Sequence, residues 1–385
     1  MTKKISFWDI FYSIAPWRLK FLKAFDCLAG GAMAFLLPKL PGDELPKKIK
    51  KILIVRPGGI GDAVFLLPVL KALKHQGFII DVLCERRNAG VFTAQAFLLN
   101  AIYLYDQRPF AVFANSYDAI FDTEQWHYLS ALTAYFVRST YKIGFATRPL
   151  RAKLFHKPVE YGIGEYELDN FERLFKDILN APPLKLGGSF DVDAPSQDWA
   201  KEQIGGKFIA LFLGASIALR RFNEGQTMAI VSHYLGMDYS IALLGGKDVE
   251  SFVQGIAAKL YSLPLVATYR STRHDSGRDR EGFPKIFNYA GKLSLIHSAA
   301  LIQRSSLFIG PDSGLMHLAC AIDVPVVGIF GPGNLAKWGP KGEKHKVITE
   351  NVSCSPCTRF GYTVPTCHGS YHCMKDIKVE KIWNG

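Results

Sequence analysis

The chain reads as an α/β protein built from two doubly wound halves. Three observations predict this. Short β-branched apolar runs alternate with amphipathic stretches of helical period. Two of those runs, at 51–55 and 207–213, pass straight into loops of glycine and other small residues, as the opening βα unit of such a sheet does. At 385 residues, two domains are the natural expectation. We place an N-terminal arm at 1–49, a first domain at 50–184 and a second at 185–385.

Composition narrows the function classes. A hydrophobic content of 49% is that of a soluble globular protein with a full core, and 13% aromatic residues argue against disorder. The formal charge of +12 points to an anionic partner: a membrane surface, a nucleic acid or a phosphorylated substrate. No zinc-finger, recognition-helix or RNP pattern is present, so nucleic acid is disfavoured.

The arm mixes Trp8, Phe11, Tyr12, Trp17, Phe21 and Phe25 with Arg18, Lys20 and Lys23. Charges interrupt any signal-peptide core, and the apolar run 27–37 is too short to span a bilayer. Two readings stand: an interfacial anchor on anionic lipid, or a helical arm packed on the protein. Residues 38–51 form a Pro-rich, then basic, linker.

The first half opens with strand 51–55, glycine loop 56–62 and helix 63–74. The glycines Gly58, Gly59 and Gly61 lack the full dinucleotide spacing. Asp62 closes the loop, where peptide dipoles favour negative charge. It is either a general base or a helix cap. Strands are expected at 78–83, 101–105, 119–122 and 142–145, and helices at 94–99, 128–138 and 167–179. Glu124, Gln125, Trp126 and His127 follow a strand at the edge where such sheets bind ligands.

The second half repeats the grammar. Strand 207–213 leads into Gly214-Ala215-Ser216, then Arg220 and Arg221, either diphosphate contacts or surface arginines. Lys292 is a weaker cationic candidate. Helices are expected at 224–235, 248–260 and 295–304, and a strand at 239–244; the charged stretch 271–283 is an insert or a lid. The centre of this half is IGPDSGLMHLACAIDVPVVGIFGPG, residues 309–333. It reads as strand, turn, helix 315–322 and strand 325–330. Asp312 or Ser313 can cap the helix, Gly314 leaves room for a ligand, and the helix start suits a phosphate.

The pieces ILIVRPGGIGDAVFLLPVLKALK, LGASIALRRF and the stretch from NYAGKLSLIH to LAKWGP resemble glycosyltransferase family 9, the ADP-heptose:lipopolysaccharide heptosyltransferases, across residues 51–377. The resemblance implies a GT-B fold, with two Rossmann-like domains facing across a cleft. It also implies inverting transfer from a nucleotide sugar without a catalytic metal ion. By position, Asp62 matches the family's base on the acceptor hydroxyl. Gly59, Gly61, Glu124 and Trp126 are the acceptor-side candidates from their place at the sheet edge. Arg220 stands where the family places a basic residue near the donor diphosphate, followed by Arg221, and Ser216 matches a phosphate-side hydroxyl. Asp312, Ser313, Gly314, Leu315 and His317 match a D-[ST]-G-x-x-H motif. The ribose contact falls near Asp248 to Glu250. The chain departs from the family at Ile217-Ala218-Leu219, in the charged insert near Arg273, and in its long arm.

Cys354, Cys357, Cys367 and Cys373 crowd a loop-rich tail at 354–373, with His368 and His372 as substitute ligands. A structural zinc or iron site, disulfides and unliganded thiols are the readings open. Cys27, Cys84 and Cys320 are expected to pack as small apolar residues. The expected function is transfer of heptose from ADP-heptose, at the inner face of the cytoplasmic membrane, to a lipid-linked saccharide such as a lipopolysaccharide core. A family 9 transferase using another nucleotide sugar, a nucleotide-sugar epimerase and an inactive nucleotide-sugar-binding module are the competitors.

Overall fold

The computed structural model describes residues 10, 13, 17–42, 44–262, 285–359, 362–364, 367 and 371–383. The charged stretch 271–283 and His368 lie outside the described residues. The chain divides into two compact units: Met1–Asp191 with Asn334–Trp338 and Pro356–Thr366, and Val192–Gly333 with Gly339–Ser355 and Cys367–Gly385.

The first unit holds six parallel strands: β1 (Lys51–Arg56), β2 (Ile79–Cys84), β3 (Ala101–Leu104), β4 (Ser116–Asp122), β5 (Arg138–Phe145) and β6 (Lys157–Val159), in spatial order β3-β2-β1-β4-β5-β6. The second holds β7 (Phe208–Phe212), β8 (Ser240–Leu244), β9 (Ile286–Asn288), β10 (Leu307–Pro311), β11 (Val326–Ile329) and β12 (His345–Ile348), in order β12-β11-β10-β7-β8-β9. Counted from its own first strand, each sheet has the same order. Helices cover both faces, which is why strands such as Phe208–Phe212 are buried at every position. In each sheet the order reverses beside the first strand. Val55 of β1 pairs with Asp122 of β4, and Leu211 of β7 pairs with Ile309 of β10. Ligands of open α/β sheets gather outside the carboxyl ends at such a switch point.

The helix after β1 spans Ile60–His75 and buries Val64, Leu67, Leu70 and Leu73 among nine core positions. Truncating one such leucine to alanine costs about 2–5 kcal/mol. The helix expected at 94–99 is instead Arg86–Ala94, followed by a 3-10 turn at Ala96–Leu98. Its start is set by Asn88, whose side chain accepts the Glu85 N–H at 3.0 Å, a capping contact that the surrounding charges obscure in sequence. Strands β6, β9 and β12 and the helix Ala194–Gln203 are further elements that apolar periodicity did not mark; they are short or carry Lys and His.

The arm forms helices Trp17–Phe25 and Gly31–Leu36 joined by a π turn at Asp26–Gly30. Its inner side packs on the first unit. The Asp26 carboxylate accepts the N–H groups of Tyr128 (3.1 Å) and Leu129 (2.7 Å), capping the helix Tyr128–Phe136 from outside that helix's own sequence. A Cβ at Gly30 would lie 2.8 Å from that of Tyr128, so only glycine permits the approach. Among the described residues no helix is long and apolar enough to cross a membrane.

Candidate active site

At the first unit's switch point the last residue of β1, Arg56, is almost fully buried. Its Nε donates to Pro57 O (2.7 Å) and its Nη1 to Thr123 O (2.8 Å), stitching the loops after β1 and β4 together. Its Nη2 lies 3.4 Å from Glu124 Oε2 and 3.7 Å from Asp62 Oδ1. Gly58 has φ +119°, and a Cβ there would sit 2.9 Å from Arg56 Nη2, so the loop needs glycine on both counts. Gly59 is the N-cap of Ile60–His75, and its N–H donates to Asp62 Oδ2 at 3.3 Å. Gly61 lies in the helix's first turn. Asp62 therefore caps the helix and also keeps about a quarter of its side chain exposed (23%).

A second buried guanidinium, Arg151, donates to Asp122 Oδ2 (2.7 Å), Glu124 O (2.5 Å) and Ser130 Oγ (3.2 Å). Burial works against the Glu124 charge. His127, Arg56, Arg151 and the Trp126 N–H nevertheless hold its carboxyl at about 2. Burial raises the Asp122 carboxyl, with Arg151 opposing. Burial also raises Glu167, aided by the Asp62 charge and opposed by Lys337. Glu167 accepts from Gln125 Nε2 and Tyr161 OH, both at 2.6 Å, and pairs with Lys337 at 3.3 Å.

In the second unit, Ser313 caps the helix Gly314–Ile322, its Oγ accepting the Met316 N–H at 3.4 Å. The Asp312 N–H is committed to Ile329 O at 3.0 Å, so the amides offered to a ligand begin at the helix start, where no intrahelical acceptor exists. Asp312 instead holds a cation: Arg220 Nη1 lies 3.1 Å from its Oδ2 and donates to its backbone O at 3.3 Å. Gly333 abuts the same carboxylate; a Cβ there would fall 2.0 Å from Oδ2. The Nε atoms of Arg220 and Arg221 are buried and make no hydrogen bond among the described residues. Two orphaned guanidinium donors near a capped helix start form an oxyanion-accepting arrangement.

The other predicted residues fall as follows. Ser216 is exposed on the loop after β7. Arg221 donates to Ala215 O and pairs with Asp248. Glu250 starts its helix against Gly291, where a Cβ would lie 2.9 Å from Oε2. Lys292 is exposed and donates to Asn288 O. Leu315 is half-buried, and His317 is buried with Nε2 3.7 Å from Asp312 Oδ1. Trp126 gives its N–H to Glu124 Oε1 at 3.0 Å. Sequence reading missed Arg56, Arg151, Tyr161, Glu167 and Lys337. Only Arg56 carried a signal, a charge closing an apolar strand.

Among the described residues no group of three or more His, Cys, Asp or Glu is placed to hold a metal ion. Cys373 is buried in the second unit's apolar core with Met374 and Ile377, and His372 pairs with Asp376 at 2.6 Å. Cys84 and Cys320 are buried as expected, and burial pushes both thiols up to about 12.

The model of glycosyltransferase family 9 (heptosyltransferase) matches residues 111–367. The chain is similar to lipooligosaccharide heptosyltransferase 2 of Campylobacter jejuni, 27% identical over 180 residues, covering 46% of this chain and 49% of that protein. It spans about half the length of the curated relatives it matches. Among solved structures it is similar to the E. coli ADP-heptose lipopolysaccharide heptosyltransferase II, with TM-score 0.66 and 18% identity over 86% of this chain and 96% of that one. The iron-containing dodecameric glycosyltransferase TibC of enterotoxigenic E. coli matches at TM-score 0.53 and 14% identity, over 87% of this chain and 74% of that one. These likenesses identify the fold as GT-B, two Rossmann-like halves. With the family match over two thirds of its length, the chain belongs to glycosyltransferase family 9, the heptosyltransferases.

Proposed function

We propose that the protein is an inverting glycosyltransferase that moves heptose from ADP-heptose to a lipopolysaccharide core or related saccharide, with no metal in the catalytic step. One observation carries the reading. Two sheets of identical strand order end, at their switch points, in complementary chemistry: a partly exposed carboxylate held by an arginine, and an anion-accepting helix start with two arginines. Asp62 takes the proton of the acceptor hydroxyl, and that oxygen forms the new bond at the anomeric carbon. The bond from that carbon to the β-phosphate oxygen breaks, and the electron pair leaves with the nucleoside diphosphate. Amides at the start of Gly314–Ile322, with Arg220, take up the growing charge. Ser216, Arg221, Glu250 and Lys292 are assigned to the donor side, Gly59, Gly61, Glu124 and Trp126 to the acceptor side. The family match and the heptosyltransferase relatives support heptose as the sugar; product mass with ADP-heptose against other nucleotide sugars tests it. Nucleotide release without a glycosylated product would overturn transfer.

The enzyme works at the inner face of the cytoplasmic membrane. In the arm, Trp17 (73%), Phe21 (64%), Phe35 (68%) and Leu36 (80%) are exposed beside Arg18 and Lys20. Leu129 and Phe136 are also exposed, on the helix that Asp26 caps. Apolar side chains flanked by cations suit an anionic bilayer surface. Flotation with anionic liposomes should recover the wild type and lose a variant with Trp17, Phe21 and Phe35 changed to Ser; equal recovery would remove the anchor.

A further inference from the structure

The loop between β4 and the helix Tyr128–Phe136 carries Glu124 and Trp126, and it is held from two sides. From within the first unit's α/β body, Arg151 Nη2 donates to Glu124 O at 2.5 Å and its Nη1 to His127 O. Thr147 Oγ1 donates to Gln125 O, and Gln125 Nε2 donates to Glu167 Oε1 at 2.6 Å. The second hold comes from the N-terminal arm. Asp26 Oδ2 accepts the Tyr128 N–H at 3.1 Å and lies 3.2 Å from His127 Nδ1, while Oδ1 accepts the Leu129 N–H at 2.7 Å. One carboxylate, 11% exposed, thus grips the last residue of the loop and the first two of the helix.

The neighbouring arm residues tie down the same place. Arg148 lies over both Trp126 (4.9 Å) and Tyr128 (4.3 Å), and its Nη2 donates to Cys27 Sγ at 3.5 Å. Gly30 and Gly31 bring the arm's backbone onto Tyr128: Cβ atoms there would lie 2.8 Å from its Cβ and 3.4 Å from its ring. These contacts gather on the π turn Asp26–Gly30 and the glycine after it. Such turns are rare and occur mostly at functional sites. A helix cap ordinarily comes from the residue just before the helix. Here it comes from 102 residues away, so the chain that fixes the loop is not the chain that forms it. The arm lies outside the family match at residues 111–367.

Granting that the first unit takes the acceptor, we propose that the arm is the outer clamp of the acceptor loop, with Asp26 as its positioning residue. The Asp26 carboxylate does not touch the saccharide. It fixes the backbone from His127 to Leu129, and with it the placement of Glu124 and Trp126 on the same short loop. A loop ordered in advance loses less entropy when its ligand binds. The clamp therefore acts on acceptor affinity and leaves the donor alone.

The test uses the full chain and core oligosaccharide from truncated lipopolysaccharide, below the melting range of every variant. Binding is read by titration calorimetry, and turnover with ADP-heptose as donor. Asp26→Ala should weaken oligosaccharide binding and raise the acceptor KM by about fivefold, with ADP affinity and donor KM at wild-type values. Asp26→Asn keeps one acceptor oxygen and should fall between the two. Asp193→Ala controls for stability alone. Asp193 caps the helix Ala194–Gln203 by accepting the Ser196 N–H at 2.8 Å. Its loss should lower the melting temperature by a similar amount and leave oligosaccharide affinity unchanged.

Residue-resolved hydrogen exchange, with no ligand present, gives a second readout. Asp26→Ala should quicken the amides of Glu124 and Trp126, which bond to Asp122 and Glu124 and not to Asp26. Exchange that rises only at Tyr128 and Leu129, or an unchanged oligosaccharide affinity, would make Asp26 a helix cap alone and overturn the proposal. If the wild type binds oligosaccharide, Asp26→Ala binds it less well and neither transfers sugar, the transferase reading falls and the clamp stands. Transfer with the acceptor KM unmoved in Asp26→Ala removes the clamp and leaves the transferase. A wild type that binds no oligosaccharide removes both.

Discussion

The two sheets share one strand order and differ in what they present at the switch point. The first edge is an interlocked set of side-chain charges: Arg56 and Arg151, both buried, tie together Asp62, Asp122 and Glu124. The second edge is mostly backbone, with a capped helix start, Gly333 against Asp312, and two arginines with orphaned Nε atoms. The difference teaches that topology chooses where a ligand goes, while the residues at that place choose the chemistry. On the proposed function, one edge would hold and move a proton and the other would receive an anion.

Breaking the first edge at its exposed carboxylate should have the largest effect. Asp62→Asn should lower transfer by about 10²–10⁴-fold with donor affinity nearly intact. Retained turnover would take Asp62 out of the base role. Breaking the second edge at Arg220→Ala should cost about 2–4 kcal/mol of transition-state stabilisation. Because Arg220 sits on Asp312, the double variant with Asp312→Ala should lose less than the sum of the two, read from kcat/KM; simple additivity would separate them.

The charge lattice of the first edge is sharpened by pH. Glu124 is held at about 2 against an ordinary 4.5, a difference worth about 3 kcal/mol. That contribution is complete above pH 4.5 and disappears as pH falls from there toward 2. Asp122 and Glu167, both raised, act with the opposite sign. The measurement is therefore the unfolding free energy of wild type minus that of Glu124→Gln, which should shrink with acid; a constant difference would sink this account. The smallest effect should be at the arm, where Asp26→Ala removes the cap of Tyr128–Phe136 and costs about 1 kcal/mol, seen as a lower melting temperature.

Much of this was legible in the sequence because it is local. A strand followed by Pro57-Gly58-Gly59, and Ser313 before Gly314, announce a tight turn and a helix start within a few residues. Such signals need only φ/ψ preference and a side chain that reaches its own backbone. The partners of those residues were not legible. Thr123 and Glu124 meet Arg56 from 67 and 68 residues away, and Asp26 caps a helix 102 residues further on. Nothing in the local pattern around Arg151, Glu167 or Lys337 separates them from surface charges.

Cys354, Cys357, Cys367 and Cys373 are close along the chain, and packing buries Cys373 in the second unit's apolar core, a placement that spacing does not show. By itself, the sequence determined the alternation of strands and helices, the glycine turns and the helix cap, since each is settled by neighbours along the chain. Tertiary structure alone decided which charges are buried together and which amides remain for a ligand. Those depend on side chains brought close by sheet pairing, where burial turns a commonplace arginine or glutamate into part of a site.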